Sequence, residues 1–347
     1  MRVDGSAVGS GAAEAGAKAR LARQPVPARR IGVLSNLRAG RNAVRASEML
    51  AVLGEHPDVV HVQTGGGEDV AEILRQFAER EVDLLVVNGG DGTLQQALTA
   101  LLTLPLFPQL PLIAPLRGGR TNMSAIDMGA QPSPALAVRA VIDAARQGRL
   151  HERTVERAVL RIEMVQDRMV QYGMFCGVGV IHRAVELVHR AFPAGPRSRG
   201  ALGAGALTAL LVARAALRSA SGILAPDRMH IVLDGDRVPH QTFQLAITTT
   251  LDRLFLGLQP FWGREVGSVK VTTVALEARR KWARALGILH GRPSPAATPA
   301  AGYTSRNVRC AEITLDCGLC VDGELFGPRR ERLVRIEADQ RIRFVRA

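Results

Sequence analysis

Gly89-Gly90-Asp91-Gly92-Thr93 is the densest group of chemically suggestive residues in this chain. Glycines let a backbone approach an anion closely, and the N–H groups that open a following helix point at it with a favourable dipole. Asp91 places a carboxylate in that anion site. The combination makes sense when a divalent cation or a proton transfer accompanies the anion, so the stretch suggests a magnesium nucleotide. Taken alone, it also fits an ordinary strand-to-helix turn. A second carboxylate of interest stands far downstream in Val321-Asp322-Gly323-Glu324, which by itself reads as a surface turn ending a strand.

The elements that must position these residues alternate. Strand-length runs occur at Arg30–Asn36, Val59–Thr64, Val82–Asn88 and Leu112–Leu116. Helical spacing follows over Ala43–Gly54, Glu68–Arg80, Leu94–Leu102 and Ser133–Gln147. This alternation predicts a parallel sheet covered on both faces, with ligands beyond the carboxyl ends of its strands, where Asn36, Thr64, Asp91 and Asn122 all fall.

After about Leu150 the rhythm changes to short, β-branched runs separated by turn signals. Asp234-Gly235-Asp236 is a strong hairpin signal. The second half therefore reads as an antiparallel β-sandwich carrying one helical insert over Arg183–Ser221, with a looser excursion over Ala278–Pro299. The expected organisation is a disordered tail over 1–29, an α/β nucleotide-binding domain over 30–150 and the sandwich over 151–347, its last strands free to return to the first domain. The fold class is thus α/β plus all-β.

The net charge is +13 and is carried almost wholly by arginine, since lysine occurs only at Lys18, Lys270 and Lys281. That favours anionic partners such as nucleotides or anionic lipid surfaces, although an Arg- and Ala-rich coding bias explains part of it. With two Trp and two Tyr, and no basic helix interleaved with aromatics, a nucleic-acid module is not expected. Cys176, Cys310, Cys317 and Cys320 form no disulfide framework, and the Cys317/Cys320 pair reads as buried thiols in a reducing compartment. The apolar stretch Ala201–Leu217 is too short to span a membrane and contains Arg214. It fits either a membrane-facing helix or one packed on the sandwich.

The chain resembles the diacylglycerol kinase catalytic family, which includes sphingosine kinases and bacterial lipid kinases. The resemblance rests chiefly on Gly89-Gly90-Asp91-Gly92-Thr93. Ser35-Asn36 with Gly40 looks like the family's Asn-Pro-x-x-Gly loop, with Leu37 at the proline. Pro115–Asn122 looks like Pro-x-Gly-Thr-x-Asn-Asp, and Val321–Glu324 like its late Asp-Gly-Glu segment. The resemblance implies ATP and Mg2+ as cofactors, and an active site between a nucleotide-binding domain and a sandwich. Asn36, Gly40, Thr64, Gly89, Gly90, Asp91, Gly92, Thr93, Gly119, Arg120 and Asn122 would contact nucleotide. Asp91 would also hold Mg2+, and Glu324 would be the general base that takes the proton from a lipid hydroxyl. The partner implied is a lipid at a membrane surface, in a cytoplasmic protein peripheral to the inner face, with a homodimer left open.

Several residues depart from the pattern. Arg120 replaces the usual Thr and Met123 the usual Asp, while Glu156 stands for a common Asp. Glu265–Lys270 lacks both carboxylates of the family's Asp-Gly-x-x-Asp turn, so that structural metal is not expected. Two alternatives stay open: a catalytically impaired nucleotide- or lipid-binding relative, and, ranked lower, an NAD kinase-like enzyme.

Overall fold

The computed structural model describes residues 30–40, 42–65, 69–191 and 222–347. The N-terminal half runs β1 (Ile31–Ser35), α1 (Asn42–Gly54), β2 (Val60–Gln63), α2 (Val70–Glu79), β3 (Leu84–Asn88), α3 (Asp91–Thr103) and β4 (Leu112–Pro115). Then come α4 (Met123–Asp127), α5 (Pro134–Arg146) and α6 (Leu150–Arg153). The strands pair in parallel in the order β4-β3-β1-β2. Every residue of β1, β3 and β4 is buried, as parallel strands with helices on both faces require. The helices supply their cover by period: α2 buries Val70, Ile73, Leu74 and Phe77, one stripe along its length. α5 begins as its sequence dictates, with Ser133 accepting a hydrogen bond from the Leu136 N–H and Pro134 in the first turn.

The second half continues with β5 (Thr154–Met164), β6 (Met169–Gly173), β7 (Phe175–Gly179) and α7 (Val180–Ala191). After it come β8 (Asp227–Leu233), β9 (Asp236–Arg237), β10 (Thr242–Thr249), β11 (Val269–Ala275) and α8 (Lys281–Leu289). Then follow β12 (Tyr303–Val308), β13 (Cys310–Leu315), β14 (Leu319–Val321), β15 (Glu324–Phe326) and β16 (Arg332–Val345). Pairing here is antiparallel. Side chains from β5, β8, β13 and β16 share one core with those of β7, β10, β11 and β14. Asp234 and Gly235 both take positive φ, 50° and 89°, which is the turn that suits a two-residue hairpin, and they join β8 to β9.

β16 joins the two halves. It pairs along β5, and its end pairs in parallel with β4 at Phe344 and Ile113, so the parallel and antiparallel strands form one hydrogen-bonded path.

The structure corrects several expected boundaries. The apolar sequence from Val170 to Val180 reads as one continuous strand, but it breaks at Met174, where the chain leaves its partner β5 and passes to β10 and β14. Helix α3 begins at Asp91 rather than Leu94, with Gly90 as its N-cap. β12 and α4 were not anticipated. The tail 1–29, the loop 193–200, Ala201–Leu217 and the rest of the insert to Ser221 lie outside the described residues. Among the described residues no helix is long and apolar enough to cross a membrane.

Candidate active site

β1, β3 and β4 end side by side, and three loops leave them on the same edge of the sheet. Asn36, just past β1, donates from its backbone N–H to the Asn88 carbonyl (2.9 Å) and from Nδ2 to Thr93 Oγ1 (3.2 Å). Asn42 Nδ2 donates to the carbonyls of Asn36 (3.0 Å) and Asn88 (2.9 Å), and its backbone N–H to Gly118 O (3.2 Å). One buried asparagine therefore ties all three loops, two through its side chain and the third through its backbone. Asn42 and Asn88 escaped sequence reasoning because an asparagine in a loop or at a strand end carries no local signal of what it bridges.

The glycines are fixed by contact. Thr93 folds back over Gly89, where a Cβ would lie 2.5 Å from Thr93 Cβ. Gly119 stands against Gly90 so closely that a Cβ on it would lie 2.4 Å from Gly90 Cα. Asn122, in a left-handed conformation (φ 50°), closes its own loop by accepting from Gly119 N–H (2.6 Å) and donating to Gly119 O (2.8 Å). Gly40 lies under the Arg120 side chain, 2.7 Å from the place of its Cβ to Arg120 Cγ. Gly119→Ala is expected to force the second and third loops apart, costing about 1–3 kcal/mol. The check is a lower melting temperature together with lost nucleotide affinity; wild-type values in both would refute the tight loop contact.

The first N–H groups of α3 have no intrahelical partners, and Gly90 offers no side chain to cap them. They form the anion-facing end of the cradle. The Asp91 carboxylate is bonded to the loop that follows β4. Its Oδ2 accepts from Thr121 Oγ1 (2.8 Å) and the Met123 N–H (2.9 Å), and its Oδ1 from the Ser124 N–H (2.9 Å). The carboxylate thus caps α4 from another loop. Three of its four acceptor positions are taken, which leaves one on Oδ1. Met123 offers no oxygen, and among the described residues no group of three or more His, Cys, Asp or Glu side chains could hold a metal. The donor set suits a magnesium ion carried on nucleotide phosphates and touched once by Asp91, and does not suit an ion held by the protein.

The second carboxylate arrives from the other half of the chain. β14 and β15 pair as a two-residue hairpin, Val321 opposite Glu324, with Asp322 at φ 46° and Gly323 at φ 96°. An Asp-Gly pair is what that turn asks for, so the sequence builds the hairpin that presents Glu324. The Glu324 side chain reaches back over the start of α3, its Oε1 2.6 Å from where a Cβ on Gly92 would sit. The turn does end a strand, but it is not a surface turn, because Val321 and Asp322 are buried.

Asp322 is fully buried. Its Oδ2 accepts from the Met174 N–H (2.7 Å), and its Oδ1 has no hydrogen-bond partner. Burial, with the negative charge of Asp91 second, pushes this carboxyl well above 3.8. A raised folded-state value means that the protonated form favours the fold, fully below the unfolded value, and that this contribution is lost as pH rises through the folded value. Asp322→Asn should therefore gain in melting temperature relative to the wild type as pH rises from the unfolded carboxyl value, about 4, toward the raised folded value. A difference that stays constant across that range would contradict the buried charge.

Thr64 is buried at the end of β2 and donates its N–H to Ser35 O (2.9 Å), one strand beyond the cradle. Glu156 ion-pairs Arg341 on the exposed surface of the sheet. All four cysteines are free. Burial pushes the thiols of Cys317 and Cys320 up to about 12, which fits inert core residues.

Residues 30–151 match the family model of the diacylglycerol kinase catalytic domain. No protein of curated function matches the sequence. Among solved structures, one of a diacylglycerol kinase from Bacillus anthracis strain Sterne superposes with a TM-score of 0.57 at 15% identity, over 92% of this chain and 97% of that one. Two structures described as a candidate diacylglycerol kinase from the same strain give TM-scores of 0.61 and 0.63 at 16% and 14% identity, with the same coverage. At such identities the likeness is one of fold.

Proposed function

We propose that this protein transfers the γ-phosphoryl group of ATP to a hydroxyl of diacylglycerol or a related lipid, a reading supported by the match of residues 30–151 to the diacylglycerol kinase catalytic-domain model. The observation that carries the proposal is Glu324 over Gly92: a carboxylate delivered by one half of the chain to an anion cradle built by the other. Phosphoryl transfer needs positioned phosphates, neutralised charge and one base beside the nucleophile, and these parts converge here.

In this reading the N–H groups of Asp91, Gly92 and Thr93 hold the terminal phosphates, with Asn36, Thr64 and Asn122 shaping the loops around the nucleotide. Arg120 grips phosphate directly, supplying charge where the chain has Met123 instead of a carboxylate. Magnesium on the nucleotide would neutralise the phosphates, with Asp91 Oδ1 as its single protein contact. Glu324 takes the proton of the attacking hydroxyl, and the oxygen it frees attacks the γ-phosphorus in line with the departing ADP.

The test is transfer of labelled γ-phosphate from Mg-ATP to a panel of diacylglycerol, monoacylglycerol, ceramide, sphingosine and phosphatidylglycerol in micelles. A labelled lipid establishes the kinase and names its acceptor. Met123 favours a second reading, a relative that binds nucleotide without turnover; bound ATP with no label in any lipid would support that one.

A further inference from the structure

A cleft of about 590 Å3 opens at the end of α4, between that helix and the loops of the second half, lined by residues that include Asp127, Arg253, Gln259, Phe261 and Asn307. Its two walls are locked together. Asp127, at the far end of the helix that Asp91 caps, accepts from the N–H groups of Asp252 (3.3 Å) and Arg253 (2.9 Å). Lys270 then donates to Asp252 Oδ1 (2.6 Å) and Leu251 O (2.9 Å). What leaves this cleft on the solvent side is unusual for a water-facing surface.

Residues 254–258 close a tight loop, with Leu254 N–H bonded to Leu258 O (2.7 Å) and Gly257 N–H to Leu254 O (2.9 Å). At its tip Leu256 sits at φ 59°, a conformation leucine disfavours, with 66% of its surface exposed. The same loop is bonded to α8, Gln259 N–H to Leu289 O (2.9 Å), and Gly291 seats against the carbonyls of Gln259 and Phe261. The last turns of α8 bury Ile288 on their inner side and expose Leu286 (73%) and Leu289 (37%), three residues apart and so on one face. Val266, in the next loop, is 99% exposed, and Ile126 at the cleft wall 45%. Between Asp252 and Arg292, eight basic side chains, of which Lys270 is paired with Asp252, stand against three acidic ones, Asp252, Glu265 and Glu277. Protruding aliphatic tips in a strongly basic field match the chemistry of an anionic bilayer: apolar side chains enter the acyl boundary while arginines meet the headgroups.

We infer that the surface formed by the 254–258 loop and the end of α8 docks on an anionic lipid bilayer and turns the mouth of the cleft toward it. The inference deepens the lipid-kinase reading and rests on it for its purpose, since a lipid acceptor is drawn from a bilayer.

The experiment is co-sedimentation of the full chain with phosphatidylcholine vesicles made with and without phosphatidylglycerol, at low and high salt. The wild type should bind the anionic vesicles, release them at high salt and ignore the neutral ones. Leu256→Asp with Leu286→Asp should weaken that binding at least ~10-fold. Both positions are exposed, and aspartate tolerates the left-handed conformation at 256, so the variant should melt as the wild type does. Leu136→Asp, an equally exposed leucine (61%) on α5, should bind as the wild type. Failure of the wild type to bind, equal binding to neutral vesicles, or undiminished binding by the double variant would each overturn the docking surface. Phosphate transfer to short-chain diacylglycerol in micelles separates the two ideas. Transfer without vesicle binding removes the surface and leaves the kinase; binding without transfer does the reverse.

Discussion

Glu324→Gln is expected to lower phosphoryl transfer by about 10²- to 10⁴-fold, the usual contribution of a positioned general base. Melting temperature and ATP affinity should stay close to wild type. The side chain lies partly exposed over Gly92, and glutamine keeps its shape, so packing at the start of α3 is unchanged. Only the ability to accept a proton is lost. The expected signature is a fall in kcat with little change in the KM for ATP, because a general base in the proposed role acts on the hydroxyl and not on the nucleotide. A variant within a fewfold of wild-type kcat would remove Glu324 from the role of base. A variant with normal kcat and weakened ATP binding would make it a nucleotide ligand instead.

Asp91→Ala should destabilise the fold by about 3–5 kcal/mol even without nucleotide or metal. The estimate follows from three hydrogen bonds to one charged, buried carboxylate, each worth roughly 1.5–3 kcal/mol and not fully additive. Their loss leaves the Thr121 hydroxyl and two helix-opening N–H groups of α4 without an acceptor. Asp91→Asn keeps an acceptor oxygen and should lose about half as much. Denaturant melts of the free protein decide this: an Asp91→Ala variant as stable as the wild type would show that the cap has no energetic weight. The consequence for enzymology is direct. Inactivity of Asp91→Ala does not identify a metal ligand, since the same substitution unseats the loop that carries Gly119, Arg120 and Asn122.

Much of the candidate site is local, and local features were legible. Strand, glycine run and helix start follow one another from Leu84 to Thr103 without interruption, so period and composition locate the cradle. Asp322-Gly323 encodes its own hairpin, because only that turn puts φ above zero at both residues. The helix start was placed three residues late for a physical reason: Gly90, Asp91 and Gly92 are poor helix formers, and it is the tertiary contact of Gly90 with Gly119 and of Asp91 with α4 that holds them in the first turn. The strand break at Met174 was hidden as well, since continuous apolar character does not reveal where a strand changes partners.

By itself, then, the sequence determined the alternating parallel half, the antiparallel half and the two motifs of the candidate site, because each depends on residues within a few positions of one another. Only the tertiary structure decided what the carboxylates do. Asp91 meets its partners about thirty residues away. Glu324 meets Gly92 from the opposite end of the chain. Asp127 reaches the loop at Asp252 across the cleft. Each of these contacts depends on how separately formed elements pack, and a hydrogen bond between loops distant in sequence leaves no periodicity in either of them.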